Sequence, residues 1–403
     1  CLLAQDPFES DSSLSSVLSQ SIANSIEIAD VNNDGYNDII VSGYDSTRFG
    51  IYIDVYVGNS NGTLSRGFQT NYVTYSDTIA EYLGGIGNIS IADVNLDGGI
   101  DIYINGSAWS SLLLNNSSGS FSESSLLPNM SVTYSNGGWG DVNMDGKPDL
   151  FLMGVNEYAD NILNELYINN GNNLEEDLTT IFPSLFTGSS TWGDFDNDGD
   201  PDLIICGQTA NPNSSVSRLY QNDPIGRLTE VTTADAINGL KAGTTHFVDL
   251  DSDGDQDLIM TGWNKIEGNL VTWILENEPL GTYSFNSNQI DFAVAYGTID
   301  AIDYNLDGFQ DFLIAGADSV QNYAGTVHSM SARVFLNNQD GSFIYTHDDS
   351  ENFEDQFSYR LSDGECNGAV YTVILGVDSV SDAPPVAKDG NNTKIVKGFI
   401  CFL

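Results

Sequence analysis

Asp194-Phe-Asp-Asn-Asp-Gly-Asp-Pro-Asp202 places acidic oxygens at positions 1, 3, 5 and 9 of a nine-residue frame, with a glycine at position 6. A Ca²⁺ ion takes about six to eight oxygen ligands, and alternate side chains of a tight turn converge on it only where glycine relieves the sharpest point of the backbone. The frame recurs at residues 30–38, 93–101, 141–149, 249–257 and 303–311, giving loops 1 to 6 in chain order. Successive first aspartates are 63, 48, 53, 55 and 54 residues apart, the period of a small supersecondary unit repeated along a chain. The array, rather than any single loop, sets the fold.

Each frame runs into a short apolar stretch with a glycine five residues after the last Asp, as in Asp38-Ile-Ile-Val-Ser-Gly43, Asp101-Ile-Tyr-Ile-Asn-Gly106 and Asp149-Leu-Phe-Leu-Met-Gly154. The series continues through Gly207, Gly262 and Gly316. Branched and aromatic runs bounded by Gly and Asn read as buried strands. Downstream, Leu112 to Asn116 with Gly119, Leu219 to Asn222 with Gly226, and Val334 to Asn338 with Gly341 read as hairpins. Here Asn and Gly are expected to supply the positive φ of tight turns. Each unit is thus one strand entering the loop, one leaving it, and a hairpin. Repeated roughly every 55 residues, this predicts an all-β chain forming a β-propeller of six four-stranded blades, with seven as the alternative. A β-solenoid has much shorter rungs.

Composition narrows the function. The chain has 403 residues, 40% of them apolar, with 19 Tyr and 19 Phe, enough for a substantial core. Its 57 acidic and 12 basic residues give a net charge of −45, and 22 of the acids lie in the six frames. Such a surface repels nucleic acid and anionic membranes. No apolar run approaches the ~20 residues of a membrane-spanning helix. The four cysteines lack zinc-ligand spacing, and Cys206, in the run Leu203 to Cys206, reads as a buried thiol. His246, His328 and His347 form no triad or metal spacing, so no catalytic residue is assigned. Paired carboxylates for glycoside hydrolysis would be invisible at this level. Trp139 and Trp192 stand two residues before a loop, where other units have Ile28, Ile91, Phe247 and Ala301, which favours packing between blades. Trp109, Trp263 and Trp273 are expected nearer strand ends, free to meet a ligand.

An EF-hand also begins Asp-x-Asp/Asn-x-Asp-Gly but needs a bidentate Glu at position 12. Here position 12 is Val41, Ile104, Leu152, Ile205, Met260 or Ile314, all apolar. The six phased Asp-x-Asp/Asn-x-Asp-Gly-x-x-Asp motifs instead resemble the FG-GAP (VCBS-type) repeat, related to the calcium-bearing blades of integrin α-subunits, over residues 20 to about 338. The resemblance implies Ca²⁺, up to six ions, held by the side chains at positions 1, 3, 5 and 9 and the backbone carbonyl at position 7. The implied ligands are Asp30, Asn32, Asp34, Tyr36 and Asp38 in loop 1, and Asp93, Asn95, Asp97, Gly99 and Asp101 in loop 2. Loop 3 offers Asp141, Asn143, Asp145, Lys147 and Asp149, and loop 4 Asp194, Asp196, Asp198, Asp200 and Asp202. Loop 5 offers Asp249, Asp251, Asp253, Asp255 and Asp257, and loop 6 Asp303, Asn305, Asp307, Phe309 and Asp311. Loops 4 and 5 carry an extra acid at Asp200 or Asp255 and are expected to bind tightest, whereas Gly99 and Ile100 are expected to loosen loop 2.

Residues 1–6 read as a signal remnant, a processed lipoprotein cysteine or a truncation, and 7–340 as the propeller, with Pro7 to Leu18 a candidate closing strand. Residues 341–387 resemble the latter half of a cadherin-like or Ig-like module, and 388–403 read as a linker or disordered tail. Calcium loops of this kind suit millimolar extracellular calcium. The expectation is therefore a secreted or cell-surface, monomeric propeller acting as a non-catalytic binding or adhesion module for a protein or glycan. The alternative is a carbohydrate-active protein, either a lectin or the propeller domain of a polysaccharide-degrading enzyme.

Overall fold

The structure, a computed structural model, describes residues 22–376 except 46–49, 62, 74–87, 107–108, 127–131, 157–160, 212–213, 232–236, 278–281, 286–289, 304–306, 322–325, 338–342, 345–353 and 363–366. The candidate closing strand at Pro7 to Leu18 and residues 377–403 lie outside the described residues.

Six four-stranded antiparallel sheets follow one another, each in simple chain order. Blade 1 is β1 (Ile22–Ala29), β2 (Asp38–Asp45), β3 (Gly50–Gly58) and β4 (Leu64–Val73); blade 2 is β5 (Asn88–Ala92), β6 (Asp101–Gly106), β7 (Trp109–Asn115) and β8 (Phe121–Glu123). Blade 3 is β9 (Thr133–Gly140), β10 (Asp149–Asn156), β11 (Asn161–Asn169) and β12 (Leu174–Glu176); blade 4 is β13 (Leu185–Gly193), β14 (Asp202–Thr209), β15 (Ser215–Gln221) and β16 (Thr229–Glu230). Blade 5 is β17 (Leu240–Val248), β18 (Asp257–Asn264), β19 (Asn269–Asn277) and β20 (Tyr283–Phe285); blade 6 is β21 (Ala295–Ile302), β22 (Asp311–Gln321), β23 (Thr326–Asn337) and β24 (Phe343–Ile344). Each sequence frame is the connection from first to second strand, and the first strands of successive blades pack side by side in a propeller arrangement. β24 pairs with β23, so the sixth sheet extends past residue 340, where the tail was expected to begin. A separate hairpin, β25 (Glu354–Ser362) and β26 (Asn367–Gly376), follows.

The second strands explain why the apolar runs are continuous. Successive side chains of a strand point to opposite faces, and here both faces are covered. In β14, Leu203 and Ile205 pack toward blade 3, while Ile204 and Cys206 pack toward blade 5. Equivalent cores join blades 1 and 2, 2 and 3, and 5 and 6. Each fully buried Leu or Ile is worth about 1.5–3 kcal/mol, so radial packing is the main source of stability. Cys206 is a buried free thiol.

Five of the six glycines that close the apolar runs lie inside their strands, and Gly106 alone is a strand's last residue. Gly262 lies inside β18, and a Cβ there would stand 2.7 Å from the Cα of Gly243, where β17 bulges between Lys241 and Thr244. Gly316 faces Gly297 at the same 2.7 Å across the bulge of β21. Close backbone approach, not strand termination, fixes these residues.

The tryptophans divide differently from expectation. Trp192 lies against the glycine-rich β9, donating from Nε1 to the Gly138 carbonyl at 3.2 Å, and Trp139 meets Tyr103 edge-on with ring centroids 6.1 Å apart. Both pack between blades, as their phase implied. Trp273, expected near a strand end, is instead 7% exposed in the core between blades 4 and 5, because it pairs with Met260 in the middle of its sheet. Trp263 is half-buried, and the Trp109 side chain lies outside the described set. His246 is half-buried in β17, and His328 falls within β23.

Candidate metal centre

Over their described residues the loops share one backbone design. Positive φ at position 4 (Asn33, Leu96, Met144, Asn197 and Ser252) and at the position-6 glycine folds the chain back on itself. The position-1 carboxylate then accepts two amide hydrogens, as where Asp141 Oδ1 takes Asp145 N at 3.0 Å and Oδ2 takes Gly146 N at 2.8 Å. Position 5 accepts from position 7, as in Lys147 N to Asp145 Oδ1 at 3.0 Å. Loops 1, 2, 4 and 6 repeat the position-1 pattern, and loop 5 repeats its second bond. Loop 2 is therefore not loosened by Gly99. A Cβ at that position would stand 2.9 Å from the Asn115 carbonyl oxygen, so glycine admits the neighbouring turn. In loop 6, Asp303, Asp307, Phe309 and Asp311 are described, whereas Asn305 lies outside the described residues.

Position 9 is the most buried member. Asp38, Asp101, Asp149, Asp202 and Asp311 are 0% exposed and Asp257 3%. In loops 1 to 5, Oδ2 accepts the position-2 amide, at 2.9 Å from Val31 and Val94 and 3.0 Å from Val142, Phe195 and Leu250. In all six, Oδ1 accepts an amide from the third strand: Gly58, Asn115, Asn169, Asn222, Asn277 or Asn337. Burial raises the pKa of this carboxyl, to about 6 at Asp101 and Asp149 and about 7 at Asp202 and Asp257, against the lowering effect of the two amides.

These asparagines were read as turn formers, yet they are buried residues at the ends of the third strands, Asn222 one residue past its strand, and they join blades. Asn115 Nδ2 donates to the Val31 carbonyl in the preceding blade at 2.6 Å, Asn169 to Val94 at 2.9 Å, Asn222 to Val142 at 2.8 Å and Asn277 to Phe195 at 2.6 Å; Asn337 donates likewise to Leu250. Position 2 of loops 1 to 5 thus holds its own blade's aspartate through N–H and the next blade's asparagine through C=O. Blade 1 has Gly58 instead, where a Cβ would stand 2.2 Å from the Asn37 carbonyl oxygen.

The loops differ in their carboxylates. In loop 4, atoms of Asp194, Asp196 and Asp202 lie within 4.8 Å of one another, and in loop 5 those of Asp249, Asp251 and Asp253 do. Asp196 Oδ1, Asp249 Oδ1 and both oxygens of Asp200 are buried without a hydrogen-bond partner. Buried oxygens lacking donors call for a cation, so the residues of loops 4 and 5 fit Ca²⁺. Asp196 and Asp251 are raised by burial and then by a neighbouring loop aspartate. Loop 3 instead brings the Lys147 ammonium 2.8 Å from Asp145 Oδ2, which holds that carboxyl below its usual range.

Residues 93–152, 141–205 and 194–260 each match the FG-GAP-like repeat family, each match running from the first aspartate of one loop to position 12 of the next. Residues 93–260 are FG-GAP-like repeats. Loops 2 to 5 thus fall within FG-GAP-like sequence, and blades 1 and 6 continue the same architecture on either side. No curated protein sequence matches the chain. Among solved structures the chain is similar to an Agrocybe aegerita lectin described for specific recognition of non-reducing terminal N-acetylglucosamine, at 18% identity and a TM-score of 0.50 over 80% of this chain and 79% of that one. It also overlaps AofleA from Arthrobotrys oligospora at 9% identity and a TM-score of 0.45, covering 90% and 91% of the two chains. The likeness to the lectin is one of fold.

Two outcomes follow. Asn169→Ala leaves the buried Val94 carbonyl without its partner and is expected to cost about 1–3 kcal/mol in urea unfolding, against at most about 0.5 for Asn172→Ala in the exposed turn three residues on. The raised position-9 carboxyls bind protons more tightly folded than unfolded. Without calcium, stability is therefore highest below about pH 4 for this group and is lost as pH rises through about 6 to 7. Melting of chelated protein across pH 4.5 to 7.5 should show the decline, and excess calcium, which needs ionised carboxylates, should reverse its slope.

Proposed function

We propose that the chain is a calcium-stabilised β-propeller that works outside the cell as a non-catalytic binding module, with glycans as the partner class. The observation that carries the calcium reading is the set of buried carboxylate oxygens without donors in loops 4 and 5, each beside three converging carboxylates. Clustered carboxylates repel one another and resist burial, and a divalent cation offsets both costs at the connection that aligns the first two strands of a blade. Extracellular millimolar calcium is the natural supply for such loops.

Glycan binding is supported by the propeller shared with the Agrocybe aegerita lectin. The described carboxylates raised by burial lie in the loops, where they suit a structural cation.

Thermal unfolding in millimolar calcium and in chelator tests the first part. A site at about 100-fold its Kd adds about 2.7 kcal/mol, so several filled loops should raise the midpoint markedly. Identical melting in both conditions would contradict the calcium reading. A glycan array that includes terminal N-acetylglucosamine, run in calcium and in chelator, tests the second part: retention is expected in calcium and loss in chelator. Release of reducing sugar from a bound polysaccharide would favour an enzyme instead.

A further inference from the structure

Loops 4 and 5 both carry an aspartate at position 7, Asp200 and Asp255, but the two side chains are placed differently. Asp255 is half-buried, and its Oδ1 accepts from Asn197 Nδ2 of the neighbouring loop at 2.6 Å. Asn197 also donates to the Gly254 carbonyl at 3.0 Å, so Asp255 is held outward in a contact between loops. Asp200 is 2% exposed, and neither of its carboxylate oxygens has a hydrogen-bond partner. Its charged neighbours, Asp198 first, then Asp196 and Asp194, all belong to its own loop, beside the converging carboxylates of Asp194, Asp196 and Asp202. Asp196 Oδ1, unpartnered and buried, lies in the same loop.

We propose that Asp200 binds the loop 4 cation through its side chain, making loop 4 a site of five carboxylates that favours a trivalent over a divalent ion more strongly than loop 5 does. The inference rests on the calcium reading above and deepens it: position 7 serves through its side chain in loop 4, not only through its backbone carbonyl. Asp194, Asp196, Asp198, Asp200 and Asp202 carry five formal negative charges. One divalent ion leaves three of them uncompensated in a partly dry pocket, whereas a trivalent ion leaves two and attracts each carboxylate more strongly. In loop 5 the converging carboxylates are Asp249, Asp251 and Asp253, and Asn197 engages Asp255. Loop 3 departs the other way, its position-7 Lys147 placing a positive charge on Asp145. One position thus grades the loops from a built-in cation to an added anion.

The test is titration of the full chain with terbium and with calcium. Terbium emission is excited through Trp192, two residues before loop 4, and the signal lost in Trp192→Phe identifies that loop. Asp200→Asn is expected to weaken calcium at loop 4 about ten-fold and terbium by a larger factor, while Asp255→Asn leaves loop 5 within about two-fold. Melting of each variant in chelator checks that the fold is kept; removing an uncompensated charge should leave Asp200→Asn at least as stable as the parent. Saturable uptake at loop 4 that Asp200→Asn leaves unchanged, or that falls equally for both ions, overturns this inference alone. Absence of any saturable uptake by the unaltered chain overturns the calcium reading and this inference with it.

Discussion

The structure depends on a carboxylate buried where a turn meets a strand. An aspartate with both oxygens turned away from water is costly unless donors meet it, and position 9 receives one amide from its own loop and one from the third strand of its own blade. That pair of bonds fixes the loop, the second strand and the third strand relative to one another. The third-strand asparagine then carries the constraint outward, because its side-chain amide reaches the position-2 carbonyl of the preceding loop. Aspartate, position-2 peptide and asparagine alternate from Asp38 through Val31, Asn115, Asp101, Val94, Asn169 and onward to Asp311, forming a hydrogen-bonded belt beneath the loops. The apolar faces make the blades associate; the belt sets their register.

The belt accounts for two features that composition leaves puzzling. One is the fixed place of asparagine at the end of the third strand, 20 residues after the last aspartate in blades 3, 4 and 5. The other is the glycine at that place in blade 1, where the Asn37 carbonyl occupies the space of a Cβ. Above the belt, positions 1, 3 and 5 have carboxylates to spare, and in loops 4 and 5 some of their oxygens find no donor. The loops therefore divide into a part satisfied by the fold and a part that calls for a cation.

Much of this was legible in the sequence because the repeat is long and its punctuation strong. Six phased frames gave the blade number, the apolar runs marked the second strands, and the phase of Trp139 and Trp192 placed them between blades. The asparagines escaped because Asn beside Gly reads as a turn, and a bond to another blade more than 70 residues away leaves no local trace. Glycines such as Gly262 read as strand ends, since one sequence does not reveal a backbone passing 2.7 Å from where a Cβ would stand. Trp273 was misplaced for a related reason: its depth depends on the neighbouring blade. The same limit hid the difference between Asp200 and Asp255, identical in spacing but different in burial and in partners.

The central claim is that the loops are cation sites built onto a belt that aligns the blades. Anomalous diffraction from crystals grown in calcium, recorded at a long wavelength where calcium scatters anomalously and sulfur is located independently, tests it most directly. The account predicts discrete calcium peaks inside both loops, among Asp194, Asp196 and Asp202 in loop 4 and among Asp249, Asp251 and Asp253 in loop 5, with the position-9 aspartates still holding their two amides. Loops 4 and 5 free of anomalous signal at millimolar calcium, with Asp196 and Asp249 turned out to water, would contradict it.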